Sequence, residues 1–266
     1  MRCGTGAGLL LLLLCASRVA AQGTTDNIPP ANPGRPTVSA PATLTPVGYL
    51  QFENGVVYAR HSPEFSRRLG MNEVIKLTVN SRLESLVQIE PLVRSGEEGD
   101  RRFYAGGIAA GLQGVFVPGH DARPTIAVGY LRSLYGGAAP DLDIGSSRQS
   151  ALLLVSDDFR GFHVDVNGIA SEQVAERRRR GQLGQTLSVS HPWKKATIAG
   201  EVWHFSQPLS NGNAAGNLWA ISYPMRDGLV IDAGFNHGLT STSTRWESFA
   251  GFTYLLPHAI HLHRSH

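Results

Sequence analysis

Residues 240–258 read TSTSTRWESFAGFTYLLPH. Side chains alternate between the two faces of a β-strand. Trp246, Ala250, Phe252, Tyr254 and Leu256 therefore share one face, and Glu247, Phe249, Gly251 and Thr253 share the other. The first face is apolar with an aromatic ring toward each end, and no core-forming sequence follows to cover it. Hydrocarbon is the medium this pattern calls for, with Trp246 at one membrane–water boundary, Tyr254 at the other, and the odd-numbered residues pointing inward.

The same alternation recurs upstream. In LVIDAGFN, Leu229, Ile231, Ala233 and Phe235 oppose Asp232, Gly234 and Asn236. Phe162, Val164 and Val166 oppose His163, Asp165 and Asn167, and Ile75, Leu77 and Val79 oppose Lys76, Thr78 and Asn80. Whole charges on the polar face suit a wet lumen, whereas a packed core tolerates them only when each is paired.

Twelve alternating runs of this kind lie between residues 47 and 257, and the connections between them sort by length. RHSPEFSRRLG, RSGEEGDRR, YGGAAPDLDIGSS, SEQVAERRRRGQ and QPLSNGNAA are long; NSR, PGHDAR, SDDFR, HPWKK and PMRD are short. With only the last loop, HGLTSTST, intermediate in length, this alternation of long and short places the long loops at one end, as in outer-membrane barrels with brief periplasmic turns, longer extracellular loops and an even number of antiparallel strands. The expectation is an all-β fold: a single antiparallel transmembrane β-barrel of about twelve strands.

The ends of the chain agree with export. Residues 1–21 carry Arg2, an apolar run from Leu9 to Leu14 and small residues at Val19 and Ala21, the pattern of a secretory signal peptide. Both cysteines, Cys3 and Cys15, fall in that segment. The mature chain is then thiol-free, which removes disulfides, zinc–thiolate sites and cysteine nucleophiles. Residues 22–46 hold six prolines and little that is large and apolar, and read as a disordered periplasmic lead-in. Residues 258–266 read as a His-rich periplasmic tail. A net charge of +3 is too slight and scattered to suggest a nucleic-acid partner.

The runs RPTVSAPATLTPVGYLQFENG, VIKLTVNSRLES and GFNHGLTSTSTRWESFAGFTYLLP resemble bacterial outer-membrane β-barrel transporters related to the putative meta-pathway of phenol degradation family. The resemblance covers nearly all of residues 35–257 and its motifs are structural rather than catalytic. It implies an outer-membrane channel for small, aromatic or hydrophobic, solutes. HAIHLHRSH follows Leu256, whereas such barrels commonly finish on an aromatic residue.

The lumen-lining candidates are Gln51, Glu53, Lys76, Glu84, Gln88, Glu90, His163, Asp165, Asn167, Glu201, Asp232, Asn236 and Glu247, with Thr78, Gln113 and Ser188 beside them. Carboxylates outnumber cations, so one reading is a polar conduit biased against anions. The other is an ion-pair and hydrogen-bond network filling a narrow barrel, with Lys76 and His163 matched to nearby acids. The interface aromatics are Tyr49, Tyr130, Trp203, Trp219, Tyr223, Trp246 and Tyr254.

Two other chemistries have candidate residues. An outer-membrane lipid hydrolase needs a nucleophile within reach of a base. His204 and Ser206 share a face near Asn211 and Asn213, but the His-x-Ser-Asn run of lipid-deacylase barrels is absent. His258, His261, His263 and His266 suggest weak metal binding or simply an unstructured tail, and Arg177 to Arg180 read as a loop tip near lipopolysaccharide phosphates. The expectation is therefore no catalytic residue, no metal site and no cofactor. The expected partners are outer-membrane lipid and lipopolysaccharide, the outer-membrane assembly machinery and a small-molecule solute. A lipid hydrolase and a secreted soluble ligand-binding β-protein remain as alternatives.

Overall fold

The computed structural model describes residues 28–96, 102–140, 147–175, 178–208 and 212–260. The expected signal peptide, the start of the lead-in, Arg177, Asn211, His261, His263 and His266 lie outside the described residues. Thirteen strands follow one another in the order β1 (Leu50–Arg60), β2 (Arg67–Asn80), β3 (Leu83–Gly96), β4 (Phe103–Tyr104), β5 (Ile108–Val117), β6 (Thr125–Tyr135) and β7 (Ser147–Phe159). They continue with β8 (Phe162–Ala175), β9 (Arg178–Trp193), β10 (Ala196–Ser206), β11 (Asn213–Arg226), β12 (Leu229–Gly238) and β13 (Trp246–Leu255). β4 is a two-residue rung beside β3; the other twelve form the wall.

Every neighbour is antiparallel, and β1 pairs with both β2 and β13, so the sheet closes on itself and leaves no free edge. Sequence spacing explains the tight end. Two-residue turns link β2 to β3, β7 to β8, β9 to β10 and β11 to β12. In the β7–β8 turn Arg160 and Gly161 both have positive φ (51° and 82°), the backbone that matches the twist of the flanking strands. Two connections depart from the expected sorting. Residues 118–124 form a longer link braced by a His120–Arg123 bridge. Arg178 to Arg180, expected at a loop tip, lie in a strand: the β8–β9 ladder runs on through Gln173↔Arg180 to Ala175↔Arg178.

Pro91 also reads differently in place. Proline cannot donate to a ladder, so a central strand must bulge around it. The β2–β3 register shifts between Met71 and Glu73, leaving Glu90 and Pro91 opposite Asn72 alone. The backbone of Glu90 instead bonds Gly106 and Gly107.

The wall is inside-out relative to a soluble protein. Among the described residues, 23 buried polar or charged residues outnumber 15 buried hydrophobics. Val56, Leu69, Leu153, Val202, Ile221 and Phe252 stand on the exterior, each more than two-fifths exposed. A water-soluble protein rarely carries so continuous an apolar exterior, so the soluble alternative has no support here. On β13 the even-numbered residues face out and Thr253 is fully buried, as the alternation requires.

Candidate functional site: the barrel lumen

Residues 28–46, expected to be a disordered lead-in, lie ordered inside the barrel. The segment meets the β11–β12 turn where Ala31 N–H donates to the Asp227 carbonyl (2.9 Å), and returns to the same end before β1, where Gly48 N–H donates to the Thr78 carbonyl (2.8 Å). Between these points it touches side chains of nine of the twelve wall strands. Only a segment within the lumen reaches so many strands of a closed cylinder.

Its own composition explains the arrangement. Pro33, Pro36 and Pro41 preclude a ladder, so the remaining N–H groups need acceptors that only the wall can supply. Gly34 N–H donates to Glu53 Oε1 (3.0 Å) and Thr45 N–H to Glu84 Oε2 (2.8 Å). Val38 and Ser39 N–H donate to the two oxygens of Glu201, each at 2.8 Å, and Ser39 Oγ donates to Oε1 as well. Ala40 exchanges two bonds with the amide of Asn167 (2.7 and 2.9 Å). Ala42 N–H donates to Ser156 Oγ (2.7 Å), and Gln113 Nε2 donates to the Pro41 carbonyl (3.0 Å). Arg35 pairs with Asp232 (3.3 Å).

The lumen-lining candidates divide accordingly. Gln51, Glu53, Glu84, Asn167, Glu201 and Asp232 are buried against the segment. Lys76 Nζ lies 2.6 Å from Glu53 Oε1. Asp165 accepts from Ser156 and lies beside His163, whose other ring nitrogen meets Asp158 (2.8 Å) near the tight end. Asn236 is buried and accepts from Trp203; Ser188 is buried directly opposite Glu201 in the β9–β10 ladder. Gln88, Glu90 and Glu247 lie toward the long-loop end, Glu90 paired with Arg68 and Gln88 exposed within the lumen. The lumen acids named here with a partner are acceptors for the segment or for a neighbouring side chain. That arrangement matches the filled-barrel reading better than an unpaired charge ring.

Trp203 is the clear misplacement among the interface aromatics. It is 3% exposed, points into the lumen with Phe205, and its Nε1–H donates to Asn236 Oδ1 (2.8 Å). The physical reason is parity, since Trp203 lies two residues from the inward Glu201. Tyr130, Trp219, Tyr223 and Trp246 face outward, Tyr130 and Trp219 near mid-strand and Trp246 at the start of β13 stacked on His237 (4.1 Å). Tyr254 is half-buried with Arg226 over its ring, and Tyr49 precedes β1. His204 pairs with Gln185 (3.1 Å), while Ser206 Oγ accepts the Leu183 N–H (2.8 Å), so both groups of the hydrolase candidate are engaged elsewhere.

Above the segment the inward positions turn apolar: Val74, Leu86, Leu131, Leu152, Ile169 and Phe205, with Gly111, Gly129 and Gly184 opposite the bulkier groups. This belt, the segment and parts of β2 and β3 enclose a cavity of about 380 Å³. A second cavity of about 430 Å³ adjoins it toward the long loops, sharing Val74, Gln88, Leu131, Ser147 and Ser150. The polar lumen residues are the ones the sequence brings forward, and the belt is missed among them. Its signal was present in the matching parity of Leu152, Leu154 and Ser156, and of Ile169 and Asn167.

A closed twelve-strand barrel with a lipid-type exterior and a polar, partly filled interior is a porin-like transmembrane β-barrel. No family model matches the chain, and no curated protein matches it. Among solved structures it is similar to the NanC porin, at 10% identity and a TM-score of 0.55, covering 78% of this chain and 100% of that one. The CymD monoaromatic hydrocarbon channel aligns at 9% identity over 81% of this chain and 90% of its own, with a TM-score of 0.47. The anion-selective porin from Comamonas acidovorans aligns at 8% identity and a TM-score of 0.39, covering 78% of this chain and 98% of that one. The first likeness supports the fold alone; the other two are too distant to carry an argument.

Proposed function

We propose that this chain is a passive outer-membrane channel for small solutes with an apolar body, aromatic ones included. The two adjoining cavities carry the reading: they form a route from the long-loop mouth, past Gln88 and Ser150, to the apolar belt. Cavities of roughly 300–1,000 Å³ lined mainly by apolar groups with a few polar ones suit small ligands. The segment 31–45 forms the floor of that route and is its constriction; its docking sets how often the channel passes solute. The sequence resemblance to the phenol-degradation family belongs to the same reading, as do export through a cleaved signal peptide, insertion by the outer-membrane assembly machinery and contact with lipopolysaccharide.

Reconstituted liposomes test it. Swelling rates are measured against uncharged aromatic solutes, sugars and salts, with protein-free liposomes as the blank. The increase in rate over the blank should be larger for small aromatic solutes than for sugars of similar size. Swelling no faster than the blank for every solute would overturn the channel.

A further inference from the structure

We infer that the long-loop mouth of the lumen holds a recognition site for neutral, hydroxyl-bearing solutes, built on Arg68 and Asn72. This inference rests on the channel reading and gives its outer end a chemistry. Arg68 is 2% exposed, donates from Nε to the Pro140 carbonyl (3.0 Å) and pairs through Nη2 with Glu90 (2.5 Å). Its Nη1 is buried and has no hydrogen-bond partner. Asn72 Oδ1, two rungs away on the same inward face of β2, is likewise buried and unpartnered.

Both residues line the 430 Å³ cavity, with Gln88, Ser133 and Ser147 around them. A buried donor and a buried acceptor left unpaired each cost free energy that a suitable ligand recovers. A hydroxyl can accept from Nη1 and a hydroxyl can donate to Oδ1, so a neutral solute carrying two of them can satisfy both groups. Charge decides against ions. Glu90 already neutralises Arg68, so a carboxylate gains no free cation and meets the Glu90 carboxylate, while an ammonium meets the guanidinium. The Pro91 bulge fixes this geometry by setting Glu90 and Pro91 together opposite Asn72.

The test uses the full-length protein in liposomes with three probes of one size: trans-cyclohexane-1,2-diol, cyclohexanecarboxylate and cyclohexylammonium. Entry rates and equilibrium binding to the detergent-solubilised protein are measured together. The diol should bind saturably, and its entry rate in excess of that into protein-free liposomes should be at least about tenfold that of either ion. Asn72→Leu, which replaces an orphaned polar group by an apolar one, should keep the heat-modifiable gel migration of the folded parent and lose that binding about tenfold. The double variant Arg68→Met/Glu90→Gln, which leaves no unpaired charge, should lose it as well. Saturable binding that persists in both variants, or equal binding of diol and carboxylate, overturns the site while leaving the channel intact. If the diol does not bind but still enters faster than into protein-free liposomes, ordered water satisfies the two groups and the site is likewise overturned. Entry of every probe no faster than into protein-free liposomes overturns the channel reading on which it rests.

Discussion

Replacing Glu201 by alanine removes the most connected anchor of the inner segment. Its two oxygens accept from Val38 N–H, Ser39 N–H and Ser39 Oγ, all at 2.8 Å. A hydrogen bond to a charged group contributes about 1.5–3 kcal/mol, and the losses are not additive. The three together come to about 3 kcal/mol of docking free energy, a shift of roughly a hundredfold in the docked-to-undocked ratio. Ser39 Oγ keeps its contact with Thr186 (2.7 Å), so the segment is loosened rather than expelled. Single-channel recording in planar bilayers reads the effect. Glu201→Ala should raise the open fraction at least tenfold, and Glu201→Gln, which keeps Oε1 as acceptor for Ser39 but presents an amide donor to Val38, should fall between it and the parent. An open fraction in Glu201→Ala within twofold of the parent refutes the reasoning, because the segment would then not be what limits conduction.

Other consequences concern the two faces of the wall. Leu153 is half-exposed near the middle of β7; against lipid, Leu153→Arg should destabilise the barrel by about 2–4 kcal/mol in urea titrations in lipid vesicles, and no destabilisation would contradict a hydrocarbon-facing exterior. Single-tryptophan variants retaining only Trp203 or only Trp219 should differ in brominated lipid, with Trp219 quenched and Trp203 spared; equal quenching would contradict the inward placement of Trp203. Leu152→Asp puts an unpaired charge in the apolar belt and should lower the entry of aromatic solutes in excess of protein-free liposomes several-fold while leaving sugar entry unchanged.

Much of the architecture was legible because period-2 alternation is a local property. Asp232 between Ile231 and Ala233, or Asp165 between Val164 and Val166, assigns a face without knowledge of any neighbour, and twelve such runs joined by alternating connections imply closure. The inner segment was illegible for the opposite reason. Residues 28–46 contain too little apolar surface to order themselves, and their order comes from acceptors at Glu53, Glu84, Asn167 and Glu201 that the fold assembles around them. Trp203 was assigned by residue type where parity with Glu201 already contradicted it. The Arg178–Arg180 stretch looked like a loop tip because charge suggests solvent exposure, yet the ladder to Gln173 and Ala175 holds it as strand.

The central claim is that a lipid-wetted barrel carries its own N-terminal segment as an internal constriction. Ser39→Cys/Thr186→Cys tests it most directly, since the two side-chain oxygens they replace lie 2.7 Å apart and the only native cysteines, Cys3 and Cys15, fall in the expected signal peptide. Single-channel conductance of that variant should be locked low under oxidation and recover openings on reduction. Failure of the crosslink to form in native outer membranes, or unhindered conduction by the oxidised protein, would contradict an internal constriction.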